Sequence, residues 1–229
     1  LFFGILNGND RRFRMACKDG SINRQDINMT ATQSFYHTSA PPGLTGLKSW
    51  LLTHDHKRLG LMYLGAVFFW FVLAMFLGLL LRTELMSQGP TIMEAETYNA
   101  VFTLHGVIMI FLFVIPAIPA IFGNFFLPIQ LGTDDVFFPR LNLFSWYLFM
   151  IGGLFAIISL FVGDGFPDTG WTFYVPFSVQ NSANVGLTVT AAFILGMSSM
   201  LTGLNFVTTF HRMRPKNMGL MQIPLFSWS

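Results

Sequence analysis

The chain has 229 residues, 53% of them hydrophobic and only 10% charged, with a formal net charge of +2. Soluble domains carry roughly 25% charge, so this composition excludes an ordinary water-soluble fold and leaves a membrane protein. The small net charge and the lack of a Gly-rich phosphate loop give no sign of nucleic acid as a partner, and a single cysteine, Cys17, excludes an internal disulfide or a cysteine-based metal cluster.

Residues 1–28 are charged and aperiodic, without the apolar core that a signal peptide needs. Met29 opens a polar lead that continues through His54, Asp55 and His56 to Arg58. We read Met29 as the start and residues 1–28 as upstream read-through or disordered sequence, to be settled by N-terminal sequencing of the native product. The last residues, Pro224 to Ser229, lack a polar tail, and the chain is read as truncated there.

Leu59 to Leu81 is 23 residues without a charge, bracketed by Arg58 and Arg82. At helical rise it reaches about 35 Å, enough for a bilayer core of about 30 Å. Arg82 to Glu96 is an acidic loop. A second span covers 98–127; Pro116, Pro119 and Gly123 interrupt it and predict a kinked or re-entrant second half. The third span, 141–162, lies between Arg140 and Asp164, and the fourth, 185–210, precedes His211, Arg212, Arg214 and Lys216. Between them runs a loop rich in Gly, Pro and aromatics, which reads as interfacial. The basic residues cluster before span one, in the 2–3 loop and after span four, so the positive-inside rule puts the N-terminus on the cytoplasmic or matrix side.

No charged residue appears between Glu96 and Asp134, and His105 is the one histidine in that stretch. Such a residue within a span is costly and marks a functional site by default. It is either a metal ligand, since a neutral imidazole offers a lone pair without a net charge, or a hydrogen-bond partner for a neighbouring helix. Span two starts outside, so His105 lies about 10 Å in from the outer surface. Asn124, Tyr63, Asn142 and Asn205 all fall near the inner face, beside the loop with Asp134 and Asp135, and Ser198 and Ser199 fall nearer mid-membrane. An acid at an inner entrance followed by amides and hydroxyls suits ordered water and proton movement. The same residue types also serve ordinary helix packing.

Several blocks in order carry a family resemblance. They are Thr53-His-Asp-His-Lys-Arg-Leu-Gly-Leu-Met-Tyr63, Leu81-Arg-Thr-Glu-Leu85, Phe102-Thr-Leu-His-Gly-Val-Ile-Met-Ile-Phe111, Phe122-Gly-Asn-Phe-Phe-Leu-Pro128, Asp135-Val-Phe-Phe-Pro-Arg-Leu-Asn142, Thr169-Gly-Trp-Thr-Phe-Tyr174 and Gly203-Leu-Asn-Phe-Val-Thr-Thr209. From about Trp50 to Ser229 the chain resembles the N-terminal part of subunit I of the haem–copper oxidases, close to the cytochrome c oxidase branch. The implied fold is an all-α membrane protein, four transmembrane helices of a larger, about twelve-helix bundle.

The resemblance implies roles residue by residue. His105 matches the ligand to the low-spin haem A iron, and Arg82 the arginine that meets the haem formyl group. Asp135, Asn124, Asn142, Asn205, Ser198, Ser199 and Tyr63 match the entrance of the family's D proton pathway, with Asp134 a neighbour. Trp171 and Tyr174 match a loop over the outer side of the haem region. Leu104, Phe193 and Gly186 depart from residues common in relatives, which touches packing and the outer proton-exit side. The high-spin haem A and copper B would be bound beyond residue 229, so this stretch alone would be inactive. The complete protein would take electrons from cytochrome c, work with subunits II and III, reduce O2 to water and pump protons. Its setting would be a bacterial cytoplasmic membrane or a mitochondrial inner membrane. Quinol oxidases of the superfamily carry polar quinol-site residues where this chain has an apolar span one and Thr97 and Ala100 before His105, which favours cytochrome c as donor. A non-catalytic four-helix membrane protein, in which His105 only hydrogen-bonds, and a naturally split subunit are the other readings.

Overall fold

The computed structural model describes residues 46–159, 161–162, 167–180, 185–215 and 218–228. The expectations for residues 1–28 and for the lead before residue 46 lie outside the described residues. Every regular element among those described is a helix: α1 (Leu47–Leu51), α2 (His56–Glu84), α3 (Ala95–Leu131), α4 (Pro139–Ile158), α5 (Phe177–Gln180), α6 (Val185–Arg212) and α7 (Leu225–Trp228), with one 3-10 turn at Leu220–Gln222. Four of them, α2, α3, α4 and α6, are long and apolar enough to cross a membrane.

The helix ends differ from the predicted bounds for local reasons. Asp55 accepts a hydrogen bond from Lys57 N at 2.9 Å and caps α2. The helix therefore starts at His56, and the basic residues Lys57 and Arg58 join its first turn instead of the lead. α4 starts on Pro139, whose missing N–H costs nothing at a first helical position. It ends at Ile158, short of the predicted Val162, where the Ser159 hydroxyl donates to the Ala156 carbonyl at 2.7 Å.

The second half of span two, expected to be kinked or re-entrant, is not re-entrant: α3 runs unbroken from Ala95 to Leu131. Its backbone widens into π-helical turns over Ile108–Val114 and Ala117–Gly123. A proline lacks the i→i−4 donor and clashes with the carbonyl a turn before it. The wider turn makes room for Pro116 and Pro119 while the chain stays helical.

Each span buries one narrow seam. In α2 it is His56, Tyr63, Val67, Trp70, Ala74, Leu77, Leu81 and Glu84; in α6 it is Thr188, Ala191, Leu195, Ser198, Thr202, Asn205 and Thr209. Steps of three and four residues are the spacing of helices that interdigitate at a shallow crossing angle. α4 presents Asn142, Ser145, Phe149, Gly152 and Ala156 in the same register and packs along α6. Gly152 makes that approach close: a Cβ there would stand 2.7 Å from Leu195 Cγ. Gly152→Ala should therefore lower stability by about 1–3 kcal/mol, read as a lower midpoint of thermal unfolding in detergent.

Two contacts order the end of the bundle away from His56. Buried Glu84 accepts from the backbone N–H groups of Thr91 (2.7 Å), Ile92 (2.8 Å) and Met93 (3.1 Å), which fixes the α2–α3 loop. Gly170 N donates to Thr103 Oγ1 at 2.8 Å, and Trp171 packs over Gly106, so the loop before α5 is held against α3 beside His105.

Candidate functional site

His105 lies on α3 where it meets α2. Its Nδ1 is 2.9 Å from the Ala74 carbonyl, which can only accept, so Nδ1 carries the hydrogen and Nε2 carries the lone pair. Gly78, one turn on from Ala74, provides the space: a Cβ there would come within 3.1 Å of the imidazole Cε1. Arg82 follows Gly78 by another turn, with its side chain exposed. Trp171 flanks the adjacent Gly106 and stands edge-on to Phe111 at 6.5 Å between ring centroids, while Tyr174 is exposed. A neutral imidazole held in this tautomer, with a backbone acceptor behind it, is the arrangement common to metal-bound histidines. No group of three or more His, Cys, Asp or Glu side chains that could hold a metal ion occurs among the described residues. A metal at His105 would therefore draw its other ligands from elsewhere.

A second polar group gathers at the far end of α2. Asp135, in the turn before α4, is partly exposed and its Oδ1 accepts from Val136 N at 2.7 Å. The same oxygen lies 3.0 Å from Nδ1 of buried His56. Asp134 is exposed. Asn205 accepts from Phe138 N at 2.9 Å and Thr209 Oγ1 from Phe137 N at 2.9 Å, so the end of α6 fastens the strap that carries Asp135. Deeper in, Asn142 Nδ2 donates to Asn124 Oδ1, and Asn124 Nδ2 donates to the Ala120 carbonyl.

Above the amides is a buried set of hydroxyls centred on Ser145. Tyr63 Oη is 3.0 Å from Ser145 Oγ, Thr202 Oγ1 donates to it at 3.1 Å, and Ser145 itself donates to the Asn142 carbonyl at 2.7 Å. Ser198 donates to the Ser145 carbonyl at 2.6 Å. Tyr63, Ser198, Ser199 and Thr202 line one side of a cavity of about 20 Å³, whose other walls are apolar; a single water needs roughly 10–15 Å³. Ser199 is on the exposed side of α6 at the rim of this cavity. Asn142 Oδ1 and Asn205 Nδ2 are buried without a protein partner, one an acceptor and one a donor. Groups of this kind in a buried chain are met by water.

The predicted polar residues thus fall into two places. Asp135, Asn205, Asn142 and Asn124 lie towards one end of the bundle with Tyr63 and Ser198 deeper in, and His105 and Arg82 stand towards the other. Sequence reasoning missed His56, Ser145 and Thr202. A signal for two of them existed: Asn142 and Ser145, and Ser198, Thr202, Asn205 and Thr209, recur at steps of three or four residues along otherwise apolar helices.

Four helices long and apolar enough to cross a membrane, with an imidazole lodged between two of them, define an integral membrane protein. The chain belongs to the family described as "Cytochrome C and Quinol oxidase polypeptide I", which it matches over residues 58–229. It is 42% identical over 176 residues to "Cytochrome c oxidase subunit 1" of Synechocystis sp., covering 76% of this chain and 31% of that protein. It is 36% identical over 217 residues to "Probable cytochrome c oxidase subunit 1-alpha" of Streptomyces coelicolor, covering 91% and 37%. With "Cytochrome c oxidase subunit 1" of Corynebacterium efficiens the identity is 35% over 189 residues, covering 80% and 32%. The chain spans about a third of the length of these curated relatives. Membership implies haem and copper as the family's cofactors.

Proposed function

We propose that the chain is part of the catalytic subunit of a terminal respiratory oxidase that takes electrons from cytochrome c, reduces O2 to water and pumps protons. The observation that carries this reading is the setting of His105. Donation of Nδ1–H to the Ala74 carbonyl leaves Nε2 as the ligand atom, and Gly78 leaves space for the ring. His105 would hold a low-spin haem A, with Arg82 at the haem's formyl group. An iron with two imidazole ligands has no open position and supplies one-electron transfer. The high-spin haem A and copper B would be held by parts of subunit I outside this chain, with subunits II and III as partners.

Asp135, Asn205, Asn142, Asn124, Tyr63, Ser198 and Ser199 form the proton-uptake route in this reading. Asp135 is the entry group, and the unpaired Asn142 Oδ1 and Asn205 Nδ2 are the points at which water joins the chain. The N-terminus and Asp135 then face the inner side of a bacterial cytoplasmic membrane, in keeping with the Lys and Arg distribution.

The complete enzyme, purified and given reduced cytochrome c, is expected to consume O2 and to acidify the medium outside vesicles. Turnover with a quinol and none with cytochrome c would move the chain to the quinol branch. A purified protein without haem absorbance would leave only the non-catalytic reading.

A further inference from the structure

Thr202 is 3% exposed and sits one turn beyond Ser198 on the buried seam of α6. A threonine inside a membrane helix ordinarily satisfies itself by donating to the carbonyl four residues back. Thr202 has that option, with Ser198 O at 3.1 Å, and an equal one on another helix, Ser145 Oγ at 3.1 Å. A hydroxyl has one hydrogen and two lone pairs, so these two bonds alternate. With its hydrogen on Ser145, Thr202 is a donor to the cluster. Turned to the Ser198 carbonyl, it offers Ser145 a lone pair and can accept from it.

The position of this two-way group matters. Ser145 hands its own hydrogen to the Asn142 carbonyl at 2.7 Å, a group that cannot pass a proton on. Onward transfer from Ser145 needs an acceptor on the cavity side, and Thr202 and Tyr63 are the two hydroxyls that both reach Ser145 Oγ and line that cavity. Tyr63 belongs to the residues already read as the route.

We propose that Thr202 is a proton-relay group, swinging its hydroxyl between Ser145 Oγ and the Ser198 carbonyl to carry protons from Ser145 into the cavity. The proposal rests on the reading of this polar chain as the uptake route. As an incoming proton forms an O–H bond on Ser145 Oγ, the hydrogen Ser145 already holds passes to Thr202 Oγ1 and the hydrogen of Thr202 passes to a water in the cavity. One O–H bond breaks as the next forms; the Thr202 hydroxyl then turns back, and no electrons move.

The test compares Thr202→Val, Thr202→Ser and Asp135→Asn in the complete enzyme. Proton uptake from the inner side is followed in H2O and D2O, with the low-spin haem spectrum as the check on folding. Thr202→Val keeps the shape and loses the hydroxyl, so uptake should fall about tenfold with the spectrum unchanged, and Thr202→Ser should return it to within about twofold. Thr202→Ala, which cannot overfill the site, replaces the valine variant if that one does not assemble. Uptake unaltered in the valine or alanine variant while Asp135→Asn is slow would overturn the relay and leave the route standing. A serine variant as slow as the valine one would also overturn it. Uptake unaltered in Asp135→Asn would remove the route itself, and the relay with it.

Discussion

Replacing His105 by alanine in the complete subunit should abolish the low-spin haem absorbance altogether and stop electron entry. The substitution takes away the ring that α3 presents towards α2 while leaving the Ala74 carbonyl and the Gly78 recess in place. A metal bond has no substitute in that recess, so the expected effect is total. Leu77, Val107 and Ile108 on the same two helices are buried apolar residues that the substitution leaves unchanged, so the protein should still insert. The check is an optical spectrum of the reduced membranes, and a spectrum identical to the parent's would refute the ligand role. His105→Asn, which keeps a polar side chain that can hydrogen-bond but is a poor iron ligand, separates the two readings of this residue. If His105 serves only as a hydrogen-bond partner, asparagine should preserve the spectrum.

Asp135→Asn should have the second large effect, slowing proton uptake by about 100-fold or more, the lower end of the roughly 10²- to 10⁴-fold that a positioned acid–base group contributes. Asparagine can still accept from Val136 N and can still bond His56, so the turn before α4 should keep its shape. It cannot carry a proton. The strap is also held independently, through Phe137 N on Thr209 and Phe138 N on Asn205. Stopped-flow uptake measured beside haem reduction separates the two functions: reduction by the donor should be intact and proton uptake slow. Normal turnover with full pumping would count against Asp135 as the entry group.

The four spans were legible because a bilayer core demands about 20 apolar residues in a row and punishes charge. Which face of each helix turns inward was harder to read. Phe68 and Phe69 are 62% and 56% exposed while Val67 and Trp70 beside them are buried, and all four are apolar. Hydrophobicity cannot sort faces when the surroundings are themselves apolar. Polar residues can, and the run Ser198, Thr202, Asn205 and Thr209 marks the seam of α6. The clustering of Tyr63, Asn124 and Asn142 followed from depth alone, since helical rise fixes how far along each span a residue lies. His56 was out of reach by that route. Its burial depends on the Asp55 cap, which draws what reads as a polar lead into the first turn of α2. The π turns of α3 were also out of reach, because proline in a pattern announces a disturbance and not the form that it takes.

Those turns have a consequence for how the gene can change in length. Within an α-helix, the loss of one codon swings everything downstream by about 100° and turns the buried stripe away from its neighbours. A π turn already holds one residue more per hydrogen-bonded ring than an α turn. Removing a residue from Ile108–Val114 would let that stretch settle into α geometry, with His105 on one side and Asn124 on the other keeping their facings. The same deletion in α4 would turn Ser145 and Asn142 off the seam together. Length variation among related genes is therefore expected to be tolerated in the middle of α3 and to be purged from α4.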